Sequence, residues 1–171
     1  RTVPARCLHI IDAKLRQEMR SEIRRICKAT GFTTIYVTHD QKEALSVADR
    51  IGIMRSGRLV QVGTPGELYR RPGSTFVADF IGQTNLLPGR VVGRDGQMVR
   101  VETPAGTFRA IGADGLPEKV TLSIRPEQMG IARGKAEPDG RNRVTGRCVE
   151  TTFLGESSEH VLVVNGHRLK V

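Results

Sequence analysis

The hydrophobic period of this chain changes at Gly82. Before that residue, apolar positions recur three and four apart or gather in short continuous runs; after it they alternate with polar ones. One layered architecture does not serve both patterns. The expectation is therefore two domains, residues 1–82 built from helices and strands and residues 83–171 built from strands alone. At 171 residues there is enough chain for two small cores.

In the first half, Leu15, Met19, Ile23, Ile26 and Cys27 form one helical stripe within residues 12–29, with Lys14, Arg16, Arg20, Glu22 and Arg24 on the other faces. Asp12 can cap the start of this helix, and Gly31 lies just past its end, where a left-handed residue is favoured. Residues 33–37, TTIYV, are short, β-branched and continuous, which predicts a strand covered on both faces. Helix, buried strand, helix is the rhythm of a parallel α/β sheet. Asp40, with Glu43 three residues on, is an Asp variant of the capping box and opens the next helix. A hairpin follows, Ile51 to Met54 and Leu59 to Val62 flanking Ser56-Gly57. Thr64, Pro65 and Glu67 then make a full helix-start signal, Pro72 stops that helix, and a last short helix is expected over Thr75 to Ile81.

Past Gly82 the period is two. Candidate strands are Arg90 to Val92, Met98 to Val101, Thr107 to Ala110, Val120 to Ile124, Val144 to Phe153 and His160 to Val164. Turn signals stand between them at Asp95-Gly96, Asp114-Gly115, Asp139-Gly140 and Asn165-Gly166, the last typical of a tight hairpin. Short strands at this spacing predict a small barrel or sandwich. GRVV at Gly89 and GRCV at Gly146 read as equivalent starts of two repeated units.

Bulk properties narrow the function. No stretch approaches the roughly 18 apolar residues of a membrane span, and no charged-then-apolar leader pattern is seen, so a soluble chain is expected. Cys7, Cys27 and Cys148 are odd in number, far apart and without a C-x-x-C spacing, which predicts reduced cytosolic thiols and no disulfide frame or zinc site. Net charge is +9, of which +6 lies before Gln83. It is dispersed, with Arg24-Arg25 and Arg70-Arg71 as the longest basic runs, so a solvated basic surface stands beside nucleic-acid binding as its reading. The first residue is Arg1 and not methionine, and the chain is expected to be a piece of something longer.

The candidate functional residue is His39, two residues past the last apolar residue of the predicted strand. In open α/β sheets ligands bind beyond the carboxyl ends of the strands. A neutral imidazole donates one hydrogen bond and accepts another, so it can hold a phosphate oxygen while a neighbour orients it. The competing reading is a loop histidine that caps or packs.

A family resemblance bears on that choice. TTIYVTHDQKEALSVADRIGIMRSGRLVQVGTPGELYRRP, residues 33–72, closely resembles the end of the nucleotide-binding domain of ABC-transporter ATPases, in the importer branch that includes the maltose, polyamine, sulfate and ferric-iron ATPases. VTHDQ, residues 37–41, matches the family's switch-histidine motif, and DAKLRQEMR matches the segment that begins at its D-loop aspartate. The resemblance implies that His39 contacts the γ-phosphate of ATP bound between two ATPase subunits and helps align the attacking water. It implies that Asp12 communicates across the same dimer interface. ATP and Mg2+ are the implied cofactors of an intact parent. The implied partners are a second ATPase copy, membrane permease subunits and, indirectly, a periplasmic or extracellular solute-binding protein. The implied location is cytoplasmic, peripheral on the inner face of the membrane.

After Gly82, FIGQTNLLPGRV, LSIRPEQMGI and VETTFLGESSEHVLVV resemble the transport-associated OB-type domain that follows the ATPase in this branch, with Arg125, Pro126 and Glu127 the most specific match. The fold class implied is thus an α/β remnant of an ABC ATPase domain followed by an all-β OB-like small barrel, incomplete because the chain stops at Val171. The same stretches lean toward polyamine-type members; ferric iron, sulfate and sugars stay open.

The departures from the family matter as much. No G-x-x-x-x-G-K-S/T phosphate loop and no LSGGQ-like signature occurs, and no Gln-loop residue can be identified. Residues 1–11 contain no Asp or Glu, where the family has the magnesium-site aspartate and the catalytic glutamate. The fragment alone is expected to be inactive. A truncated gene product, a cut piece and a misread gene start are the three explanations, with the atypical residues 1–11 favouring the first or last. Two alternatives stay open: a non-catalytic dimerisation or regulatory module, and an OB-type single-strand nucleic-acid binder. The second needs exposed aromatics for base stacking, whereas Phe108 and Phe153, the only aromatics past Gly82, sit in alternating patterns that predict core positions.

Overall fold

The structure is a computed structural model that describes residues 13–112, 115–132, 134 and 140–171. It divides into two compact units, Arg1–Gly82 and Gln83–Val171. The proposed cap Asp12 lies outside the described residues, as do Asp114 and Asp139 of two expected turns.

In the first unit, helix α1 (Ala13–Thr30) ends where Gly31 turns left-handed at φ 66° and donates its N–H to the Cys27 carbonyl. Helix α2 (Gln41–Val47) is followed by an antiparallel hairpin, β1 (Ile51–Arg55) and β2 (Arg58–Gly63), and by two short helices, α3 (Pro65–Arg70) and α4 (Thr75–Phe80). The capping box of α3 has both arms: the Glu67 N–H donates to Thr64 Oγ1 at 3.3 Å, and the Thr64 N–H donates to Glu67 Oε2 at 2.8 Å. Ser74 caps α4 through the Val77 N–H. These caps aim Leu68, Val77 and Ile81 at Ile53 of the hairpin, forming a core in which all four are buried. Each such side chain contributes about 1.5–3 kcal/mol. Helix α1 is tied to α2 by Arg24, which donates to the Val47 carbonyl at 2.7 Å, and to the segment just past α2 by Lys28, which pairs with Asp49 at 2.9 Å.

The second unit is all antiparallel. Strands β3 (Asn85–Asp95), β4 (Met98–Thr103), β5 (Gly106–Ile111) and β6 (Lys119–Ile124) form one sheet in the order β5-β4-β3-β6. Strands β7 (Arg147–Phe153), β8 (Ser158–Val164) and β9 (His167–Lys170) form a second. Leu87 and Phe108 from the first sheet share a core with Val164 and Leu169 from the second. Asn85 ties the two sheets. Its amide donates to the Lys170 and Ile124 carbonyls, and its oxygen accepts the Lys170 N–H at 2.8 Å.

The GRVV and GRCV units correspond in structure. Each opens a three-stranded meander, β3-β4-β5 and β7-β8-β9, and each carries a register shift just after its third residue, between Val91 and Gly93 and between Cys148 and Glu150. Glycine is required at both starts, because a Cβ would stand 2.6 Å from the Glu102 carbonyl oxygen at Gly89 and 2.9 Å from that of Val163 at Gly146.

Several expectations are corrected. Residues 33–37 are not a covered strand: they pair with no strand among the described residues, and Ile35 and Val37 are 87% and 77% exposed. No parallel sheet occurs among the described residues. An extended segment becomes a buried strand only when partners satisfy its backbone and layers cover its faces. Phe153 is exposed, not core, because β7 is an edge strand with no layer over its side chains among the described residues. The strand expected from Val144 begins at Arg147, and β3 begins five residues earlier than expected. β9 went unforeseen, since HRLK shows a single apolar residue; that residue, Leu169, is fully buried.

Candidate functional site

His39 stands at the junction between the extended segment and α2. Exposure alternates through this junction. Ile35, Val37 and His39 are exposed, whereas Tyr36, Thr38 and Asp40 are half-buried. In extended backbone, alternate side chains share a face. His39 therefore belongs to the outward set.

The inward set converges on Glu43, from the first turn of α2. Glu43 is 6% exposed, and a carboxylate in that position needs partners. Its Oε2 accepts the Thr38 hydroxyl at 2.7 Å and the Tyr36 hydroxyl at 3.2 Å, and its Oε1 accepts from Arg20 at 3.4 Å. Arg20 also pairs with Asp40 Oδ2 at 3.1 Å. Asp40 caps α2 by accepting the Glu43 N–H at 3.1 Å, and the Asp40 N–H donates to Thr38 Oγ1 at 3.0 Å. Burial, and then the Glu43 charge, push the Tyr36 phenol above its ordinary range, so it stays a donor to the carboxylate.

A groove between α1 and α2 is lined by Arg20, Arg24, Arg25, Lys28 and Lys42. Much of this charge is answered internally: Arg24 and Lys28 pair with Asp49, Arg25 pairs with Glu22, and Arg20 with Asp40 and Glu43. Among the described residues no group of three or more His, Cys, Asp or Glu could hold a metal ion.

A family profile described as TOBE domain matches residues 122–171. A spermidine/putrescine import ATP-binding protein of Pseudomonas aeruginosa is 48% identical over 127 residues, 72% of this chain and 34% of that protein. A Fe(3+) ions import ATP-binding protein of Rhizobium etli is 39% identical over 150 residues, 88% and 41% of the two chains. A spermidine/putrescine import ATP-binding protein of Rubrobacter xylanophilus is 40% identical over 160 residues, 91% and 41%. By sequence, the chain is similar to part of the ATP-binding subunits of ABC importers. It spans less than half the length of these curated relatives.

The TOBE match starts inside β6 and takes in the Arg125-Pro126-Glu127 turn. Arg125 is 4% exposed and donates to the Gln83 carbonyl at 3.0 Å, so this turn is tied back to the segment entering β3. Of the two site residues read from sequence, His39 is placed at an exposed junction and Asp12 falls outside the described residues. Glu43 was assigned to a capping box, but its side chain turns away from the Asp40 N–H to Thr38 and Tyr36. The signal for this was present: two hydroxyls at positions 36 and 38, two apart, face one side of an extended segment.

Proposed function

We propose that this chain is the C-terminal part of the ATP-hydrolysing subunit of an ABC-type importer, with His39 as its contribution to the nucleotide site. The observation that carries the reading is the outward presentation of His39 at the junction between extended backbone and a capped helix, within VTHDQ. There the imidazole can offer a hydrogen bond to a terminal phosphate oxygen and help align a water. Phosphoryl transfer depends mainly on positioning and charge stabilisation, so one well-placed donor carries weight. The phosphate cradle and the Mg2+ ligands would come from residues that this sequence does not contain in recognisable form. ATP and Mg2+ belong to the longer protein, which would work as a dimer on permease subunits at the cytoplasmic face of the membrane. Polyamines are the favoured cargo class, as two of the relatives are spermidine/putrescine import proteins.

In the longer ATPase, His39→Ala is expected to reduce ATP turnover about 100-fold or more with the fold intact; unchanged turnover would return His39 to a loop histidine with no part in the chemistry. The 171-residue chain by itself is expected to show no micromolar ATP affinity in calorimetric titration, and such affinity would overturn its reading as one wall of a divided site. The genomic sequence upstream of the Arg1 codon is expected to encode a phosphate-loop motif in some frame.

A second reading, a dimerisation module, is favoured by β7, whose seven residues are all exposed and which leads into exposed Leu154. A concentration-dependent dimer in sedimentation that Phe153→Ser abolishes would support it.

A further inference from the structure

We propose that Glu43 is a positioning residue for His39, fixing the back of the junction so that the imidazole is held outward in one place. This rests on the reading of His39 as a phosphate contact and goes beyond it, giving a role to a residue that the sequence pattern marks only as part of a capping box.

The residues on either side of His39 belong to one closed ring of hydrogen bonds. Thr38 donates its hydroxyl to Glu43 Oε2, the Asp40 N–H donates to Thr38 Oγ1, and the Glu43 N–H donates to Asp40 Oδ1. Tyr36 adds a second hydroxyl to the same Oε2, and Arg20 spans Glu43 Oε1 and Asp40 Oδ2 from α1. Every one of these bonds lies on the inward face, and position 39 faces the other way. The loop is thereby gripped on the face opposite to the exposed His39. The grip matters because residues 33–37 pair with no strand among the described residues, so among these it is the hydrogen-bond ring that fixes the junction.

The chemistry also explains why the gripping residue is a carboxylate. Three donors converge on Glu43, two on one oxygen and one on the other. A glutamine would keep an acceptor for Thr38 and Tyr36 but would turn an NH2 toward the Arg20 guanidinium, donor against donor. An alanine would leave all three donors without that acceptor. The two substitutions should therefore act in graded order, which simple loss of buried volume does not require.

The test uses the 171-residue chain without nucleotide. Backbone order parameters of Thr38, His39 and Asp40, the His39 ring signals and a thermal melt are measured for the wild type, Glu43→Ala, Glu43→Gln and Thr38→Val. The wild-type junction is expected near 0.85, falling below about 0.6 in Glu43→Ala, with Glu43→Gln and Thr38→Val in between and the helices of the unit unchanged. If residues 38–40 stay rigid in Glu43→Ala while the melt falls, Glu43 serves only the fold and the proposal is overturned. Should Glu43→Ala fail to fold, the other two variants decide: loosening confined to 38–40 supports the proposal, and wild-type rigidity in both overturns it. Because this readout needs no ATP, it separates from the phosphate reading. A loosened junction with an ATPase indifferent to His39→Ala would leave the positioning role standing and remove its catalytic use.

Discussion

Leu68 and Leu169 are both fully buried, yet the cores around them are assembled by different means. Leu68 is delivered by a six-residue helix whose start is fixed by the capping box between Thr64 and Glu67, and its partners come from the adjacent hairpin and the next helix. Leu169 lies on the last strand of the second unit and is held by contacts that cross the chain, chief among them Asn85 with Lys170, 85 residues apart. The first core is specified by near neighbours in sequence; the second is closed by one long-range clamp. Local signals of the first kind can be read in a few residues, whereas a clamp of the second kind emerges only when distant strands are docked.

The largest effects should come from the two leucines. Leu68→Ala and Leu169→Ala are each expected to cost about 2–5 kcal/mol, read as lost amide protection in α3 and α4 for the first and in β8 and β9 for the second. Equal losses in both regions from either variant would break the distinction. Asn85→Ala comes next. It strips the Lys170 N–H and the Lys170 carbonyl of their Asn85 partner, and leaving such groups unsatisfied costs about 1–3 kcal/mol. Hydrogen exchange at Lys170 should speed up more than exchange in β4, which Asn85 does not touch. Thr64→Ala should cost about 1 kcal/mol through the lost cap, seen as a modest shift of the thermal midpoint; no change would mean that the first core does not depend on its local signals.

The smallest effect is on alkaline stability. The Tyr36 pKa is raised in the folded chain by burial and by Glu43. A group whose folded value exceeds its unfolded one adds stability below the unfolded value, about 10 for tyrosine, and loses it as pH rises through the folded value. Phenolate absorbance of a Tyr69→Phe variant should show Tyr36 ionising at higher pH than a free tyrosine, and Glu43→Gln should bring it back part of the way.

The pattern of what could be read in advance follows the same division. Both arms of the α3 cap, the Ser56-Gly57 and Asn165-Gly166 turns and the end of α1 at Gly31 were legible, because each is decided within a handful of residues. The placement of His39 between extended backbone and helix was legible for the same reason. The partners of Glu43 were not, because they depend on which face of residues 36–38 turns toward α2 and on Arg20 arriving from α1. Burial of TTIYV was misread because a run of β-branched residues announces a strand but not the layers that would cover it. Phe153 failed in the same way, and β9 because one apolar residue in four gives no period to detect.

The exposed run of Phe32, Ile35 and Val37 has a practical consequence for anyone handling the protein. FTTIYV carries no charge and no proline, and such six-residue segments, once exposed, are the stretches that stack into intermolecular cross-β assemblies. Purified at low concentration the chain should remain in solution, and on concentration it should precipitate through this stretch before either core has begun to melt. Shelf life will thus be governed by protein concentration more than by temperature, and a single lysine at position 35 should extend it.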